Sequence, residues 1–122
     1  MNNLIVLDCE SYPNYFLAAF KNIDDGRVVT IEARGAEKSL EPDQIKKLNT
    51  IMKKRTTFGF NSNKYDIPMI LFALKGKTCR ELNKLSDYII LKNTPQWQTL
   101  KHFDLYQPEA MSHFDICEPA PG

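Results

Sequence analysis

The sequence predicts an α/β domain: a mixed sheet that begins with a three-strand antiparallel meander, gains further strands later, and is flanked by helices. Three observations predict this. Early apolar runs are short, branched and separated by turn residues; later ones recur at helical spacing; and in the second half the two kinds alternate along the chain. At 122 residues, 43% of them hydrophobic and 25% charged, the chain is long and apolar enough to bury one core, so it is read as a single domain over 1–122.

Leu4-Ile5-Val6-Leu7 is suited to a buried strand, and Ser11-Tyr12-Pro13-Asn14 breaks it. Tyr15 to Phe20 is a second apolar run. Asp24-Asp25-Gly26 signals a turn, and Val28 to Ala33 completes the meander. Arg34 to Ser39 is polar and reads as loop. Pro42 suits the first turn of a helix, with Glu41 and Asp43 at the positive end of its dipole. Ile45, Leu48, Ile51 and Met52 give that helix one apolar stripe.

Thr56 to Phe60 is a short strand, Asn61 to Asp66 a polar connection, and Ile67 to Leu74 a buried helix followed by Gly76. Thr78 and Glu81 have capping-box spacing ahead of a stripe of Leu82, Leu85 and Ile89, and Pro95 closes that helix. Lys101 to Tyr106 is expected to be the last strand. The proline-containing tail, with Pro108, Pro119 and Pro121, shows no pattern that would fold by itself. No repeat or linker interrupts the chain.

A net charge of +1 does not mark the chain as a nucleic-acid binder, but acids gathered at a site and bases around it would leave the same total. Lys46, Lys47, Lys53, Lys54 and Arg55 form an acid-free basic stretch that reads either as a solvated helix face or as a phosphate footprint. Cys9, Cys79 and Cys117 are odd in number and irregular in spacing, which argues against a disulfide framework or a zinc site and fits a reducing cytoplasm. The N-terminus lacks the basic region of a signal peptide, and no apolar run is long enough to cross a membrane.

The sharpest local feature is Asp8-Cys9-Glu10 at the end of the first strand. Side chains alternate along a strand, so Asp8 and Glu10 project together and Cys9 points away. Two neighbouring carboxylates repel, and a hard dication such as Mg²⁺ or Mn²⁺ removes that cost. The same pattern also describes two solvated acids. The second feature is Asn61-Ser62-Asn63-Lys64-Tyr65-Asp66-Ile67-Pro68, where Asp66 could be a ligand or simply the cap of the following helix.

Together the two segments resemble the first and second motifs of DEDD (DnaQ-like) 3′–5′ exonucleases, most closely those of family B DNA polymerase proofreading domains and their phage relatives. There an acid pair ends the first strand, and an asparagine, an aromatic and an aspartate follow a later one. The resemblance spans residues 3 to 74, with a weaker match at His102-Phe103-Asp104-Leu105.

The resemblance implies an RNase H-like fold and two Mg²⁺ or Mn²⁺ ions held by Asp8, Glu10 and Asp66. It also implies substrate contacts from Asn61, Tyr65 and the backbone at Ser11. The implied activity is two-metal hydrolysis of terminal phosphodiesters, of DNA in the first instance, at a single-stranded 3′ end. Implied partners are that nucleic acid and a polymerase domain or other replication protein, in the cytoplasm of a bacterium or phage-infected host.

The family also places a fourth acid, with a Tyr or His, on a helix after the last core strand. Nothing after Leu105 has that spacing: His113-Phe114-Asp115 does not fit it, and Asp115 and Asp87 read as surface acids. The expectation is therefore an incomplete domain, inactive or weak by itself. It would be a fragment, a shortened relative, or a chain completed by a second one. The alternative is a non-catalytic RNase H-like module of phage origin that binds nucleic acid or protein. An unrelated α/β binding domain with coincidental acids is the third reading.

Overall fold

The computed structural model describes residues 4–109 and 111–116. The described residues form four helices and a five-stranded mixed sheet in the order β3 (Val28–Arg34), β2 (Tyr15–Asn22), β1 (Leu4–Tyr12), β4 (Thr56–Gly59), β5 (His113–Asp115). Strands β1 (Leu4–Tyr12) and β2 (Tyr15–Asn22) pair antiparallel from Ile5 opposite Asn22 to Tyr12 opposite Tyr15. Ser11 and Tyr12 therefore belong to the strand, and only Pro13 and Asn14 turn the chain. Cross-strand pairing right up to the turn extends β1 past the point where the apolar run stops.

Gly26 takes a positive φ of 75° in the next turn, a conformation that costs glycine nothing. Strand β3 (Val28–Arg34) then pairs antiparallel with β2. Strand β4 (Thr56–Gly59) lies parallel to β1, and β5 (His113–Asp115) parallel to β4.

Helix α1 (Pro42–Lys54) buries Leu48 and Met52 and leaves its four lysines exposed, as is Arg55 at its C-cap. Helix α2 (Asp66–Leu74) is buried over nearly its whole length, as its continuous apolar sequence requires. Helix α3 (Cys79–Lys92) starts on the expected capping box, with Thr78 and Glu81 bonding each other's backbone N–H groups. It ends at Asn93, in the left-handed region, before Pro95 is reached.

The core lies between the helices and one face of the sheet. Ile5, Leu7 and Cys9 of β1, Phe16, Ala18 and Phe20 of β2, and Ile31 and Ala33 of β3 all point into it. The alternating residues Asp8 and Glu10 stay exposed on the other face, as the strand period dictates.

One expectation fails. Lys101 to Tyr106 is not a strand: helix α4 (Gln96–His102) occupies its start, and Phe103 and Asp104 form a turn with Asp104 at φ 54°. Thr99 is fully buried there and bonds Thr94 through its hydroxyl, while the Asp104 carbonyl receives Lys75 Nζ at 2.7 Å. Helical contacts thus satisfy what looked like an apolar strand. The tail does not fold by itself: residues 113–115 form β5 only against β4, with backbone bonds such as Thr57 N–H to the Ser112 carbonyl alongside, while Pro119 and Pro121 lie outside the described residues.

Candidate active site

Strand β4 stops at Gly59, and the site begins where it stops. A Cβ at Gly59 would stand 2.9 Å from the Leu7 carbonyl oxygen and 3.1 Å from the Ser62 Cβ, so glycine lets β4 close onto β1 here. The Leu7 carbonyl faces β4, and the next backbone group on that edge of β1 is Cys9 N–H. With no strand beside it, that N–H donates to Asp66 Oδ1 at 3.0 Å. Asp66 is the first residue of α2, the N-cap position falls to Tyr65, and the Asp66 carboxylate is turned to Cys9 instead.

Asp66 is 4% exposed. Burial pushes its carboxyl up to about 7; the Cys9 N–H bond opposes this, and the negative charges of Asp8 and Asp115 add to it. Burial, then the charges of Asp66 and Asp8, push the Cys9 thiol well above its ordinary value. Cys9 is therefore a protonated core residue and no nucleophile.

Asp8, Cys9 and Asp66 line a cleft of about 460 Å³ together with Phe60, Asn61, Lys64, Tyr65, Ile89, Ile90 and Asn93. It opens at the carboxyl end of β4, the edge where open α/β sheets bind ligands. Asn61, at φ 53°, supplies the left-handed residue that turns the chain out of the strand. Lys64 Nζ donates to Asn93 Oδ1 across the cleft mouth. The Tyr65 hydroxyl is bonded to Ser86 Oγ at 2.8 Å, which fixes the ring against α3, and burial raises its pKa.

Of the residues named from sequence, Asp8, Asp66, Asn61 and Tyr65 share this cleft. Glu10 does not line it; it lies one alternation further along the exposed face of β1. Ser11 also stands outside, its hydroxyl accepting from Asn83 Nδ2 at 3.4 Å. Asp104 is exposed in the turn after α4, 3.9 Å from Lys75 Nζ. None of the basic residues of α1 borders the cleft. Among the described residues, no group of three His, Cys, Asp or Glu side chains is placed to hold a common metal ion.

His113 and Asp115 were missed as parts of the site. His113 places Nδ1 2.7 Å from Thr57 Oγ1 and Nε2 2.6 Å from Ser62 Oγ. Burial lowers its pKa against the opposing charge of Asp115, so the ring is neutral and spans two buried hydroxyls. Asp115 is no surface acid: its Oδ2 accepts the Asn63 N–H at 2.9 Å and holds the loop that carries Asp66. The one signal in the sequence was alternation, which sets His113 and Asp115 on the same face of a short strand.

Comparison with protein-family models, with curated proteins and with solved structures returned no match. No helix among the described residues is long and apolar enough to cross a membrane.

Proposed function

We propose that the cleft is the active site of a metal-dependent 3′–5′ exonuclease of the DEDD type, on an RNase H-like domain, acting on the single-stranded end of a nucleic acid, DNA in the first instance. One observation carries the reading: Asp8 and Asp66 come from distant parts of the chain to one cleft at the carboxyl edge of two parallel strands, and burial there leaves Asp66 with a carboxyl near 7. A buried carboxylate whose ionisation is opposed by burial and by a neighbouring acid is the donor chemistry a hard dication relieves.

Asp8 and the second oxygen of Asp66 are the atoms that would hold Mg²⁺ or Mn²⁺; Asp66 Oδ1 is already engaged by Cys9. Such ions, when bound, supply a nucleophilic water near neutral pH and stabilise the leaving oxygen. The chain's own residues do the positioning. Lys64 brings an ammonium to the mouth for a phosphate, and Phe60, 66% exposed, offers a ring on which a terminal base can stack. Asn61 and Tyr65 frame the strand between them. The products would be nucleoside monophosphates, and a polymerase domain or other replication protein is the natural partner.

A second reading, a module that binds nucleic acid or protein without cutting, is favoured by Glu10 standing outside the cleft and by the lack of a three-acid group among the described residues. Melting with and without Mn²⁺, alongside a 5′-labelled single strand, separates the two. The exonuclease reading expects Mn²⁺ to raise the melting temperature of the wild type and not of Asp8→Asn or Asp66→Asn. Degradation should be slow, and absent in both variants. No metal effect and no degradation, with the oligonucleotide still bound, would leave the non-catalytic module standing.

A further inference from the structure

A second groove, of about 480 Å³, runs between α3 and α4 and is lined by Tyr88, Trp97, Gln98, Lys101 and His102. Its floor is a built aromatic platform. The Tyr88 and His102 rings stack at 4.7 Å with 14° between their planes. Phe103 meets both edge-on from below, at 5.1 Å and 5.0 Å, and itself packs edge-on against Phe72 at 5.4 Å. Phe72 is buried in the core, so the platform is anchored to the interior and needs little ordering when a ligand arrives. Trp97 stands at the side of the groove with 66% of its surface exposed. An indole this open offers a ligand a flat apolar face and an N–H donor.

Charge narrows the choice of ligand. Lys84, Tyr88 and Lys92 follow one another at four-residue spacing on α3, and Lys101 follows Trp97 at the same spacing on α4, so Tyr88 has an exposed ammonium on either side and Trp97 has one beside it. Among the described residues no carboxylate lines the groove; Asp87 adjoins Tyr88 in sequence, and Asp104 lies beside Lys75. Flat rings between cations fit a ligand with flat rings between anions.

We propose that this groove is a stacking subsite for single-stranded nucleic acid, with bases on Trp97 and the Tyr88–His102 platform and phosphates against Lys101, Lys84 and Lys92. The α3 helix is shared: Ile89, Ile90 and Asn93 wall the cleft, and Tyr88 walls the groove. A strand whose end lies in the cleft can therefore pass over the end of α3 and lay its next bases in the groove. That continuity rests on the nuclease reading; binding in the groove itself needs no metal.

Trp97 is the only tryptophan of the chain, which makes its fluorescence a direct reporter. Oligothymidylate of roughly 12 nucleotides, within the usual span of such sites, is titrated in EDTA while tryptophan emission and the anisotropy of a labelled strand are followed. Saturable quenching is expected. Trp97→Ala and Lys101→Glu should each weaken binding by roughly tenfold, the scale of one lost stacked base. An abasic oligomer should lose the quenching and keep only salt-sensitive binding.

Groove binding is read in EDTA and the nuclease reading by its response to Mn²⁺, so failure of one and failure of the other show in different measurements. Both substituted groove side chains are exposed, and a circular dichroism melt confirms that each variant folds. Binding without quenching, binding untouched in both groove variants, or no binding of the oligomer by folded wild type would each overturn the proposal.

Discussion

Asp66 Oδ1 accepts the backbone N–H of Cys9 at 3.0 Å, a bond between residues 57 apart in sequence. The carboxylate stands in for a strand carbonyl at the place where β4 has ended. Asp66→Asn keeps an acceptor of the same shape, whereas Asp66→Ala leaves a buried N–H without one, a loss of about 1–3 kcal/mol. In urea unfolding at mildly alkaline pH, Asn should match or exceed the wild type and Ala should fall below both. Equal losses in the two variants would show that the oxygen is not what Cys9 needs.

The buried carboxyl also ties stability to pH. An unfolded aspartate titrates near 3.9, at about the ordinary value, while Asp66 in the fold titrates at about 7. Between those values the native chain holds the extra proton. The contribution of Asp66 is therefore fully present below about pH 4 and is lost as pH rises through about 7. The melting temperature of the wild type minus that of Asp66→Asn should fall over this window. A flat difference would mean that the carboxyl is not desolvated.

His113 works in the opposite direction. Its pKa is lowered by burial, so it contributes stability above the ordinary histidine value, and that contribution is lost as pH falls. His113→Ala would strand the Thr57 and Ser62 hydroxyls, both fully buried, at a cost of about 1–3 kcal/mol. Chemical denaturation at neutral pH reads that loss directly. A change within the scatter of surface substitutions would mean that the two hydroxyls find water instead.

Gly59→Ala tests the close approach of β4 to β1. The added methyl meets a backbone carbonyl, which cannot swing aside, at 2.9 Å. Overpacking of this kind costs about 1–3 kcal/mol. Because the displaced strand leads into the Asn61–Asp66 loop, any metal-linked rise in melting temperature should shrink along with the stability.

The meander, α1, α2 and the capping box of α3 were legible because each has a local cause: a turn residue, a proline at a first turn, a stripe at helical spacing, or Thr78 opposite Glu81. So was the opposition of Asp8 and Cys9, which follows from strand alternation alone. What could not be read depends on tertiary contacts. Lys101 to Tyr106 is apolar enough for a strand, and buried Thr99 together with Lys75 decides for helix and turn instead. His113 and Asp115 acquire their roles only through Thr57, Ser62 and Asn63, and no local pattern announces a partner so far away in the chain. The position of Glu10 was likewise legible as a face of the strand but not as a place outside the cleft.

The bonds of β5 to β4 and to the loop before α2 have a consequence for the order of assembly. A nascent chain leaves the ribosome from its N-terminus, and contacts of high sequence separation close late. Until residues 113–115 arrive, the Thr57 and Ser62 hydroxyls lack the His113 ring and the loop that carries Asp66 lacks its bond to Asp115. The meander can form early, during synthesis. The cleft acquires its fixed shape only once its last edge is supplied, so a stalled or prematurely released chain would carry the acids without the frame that holds them.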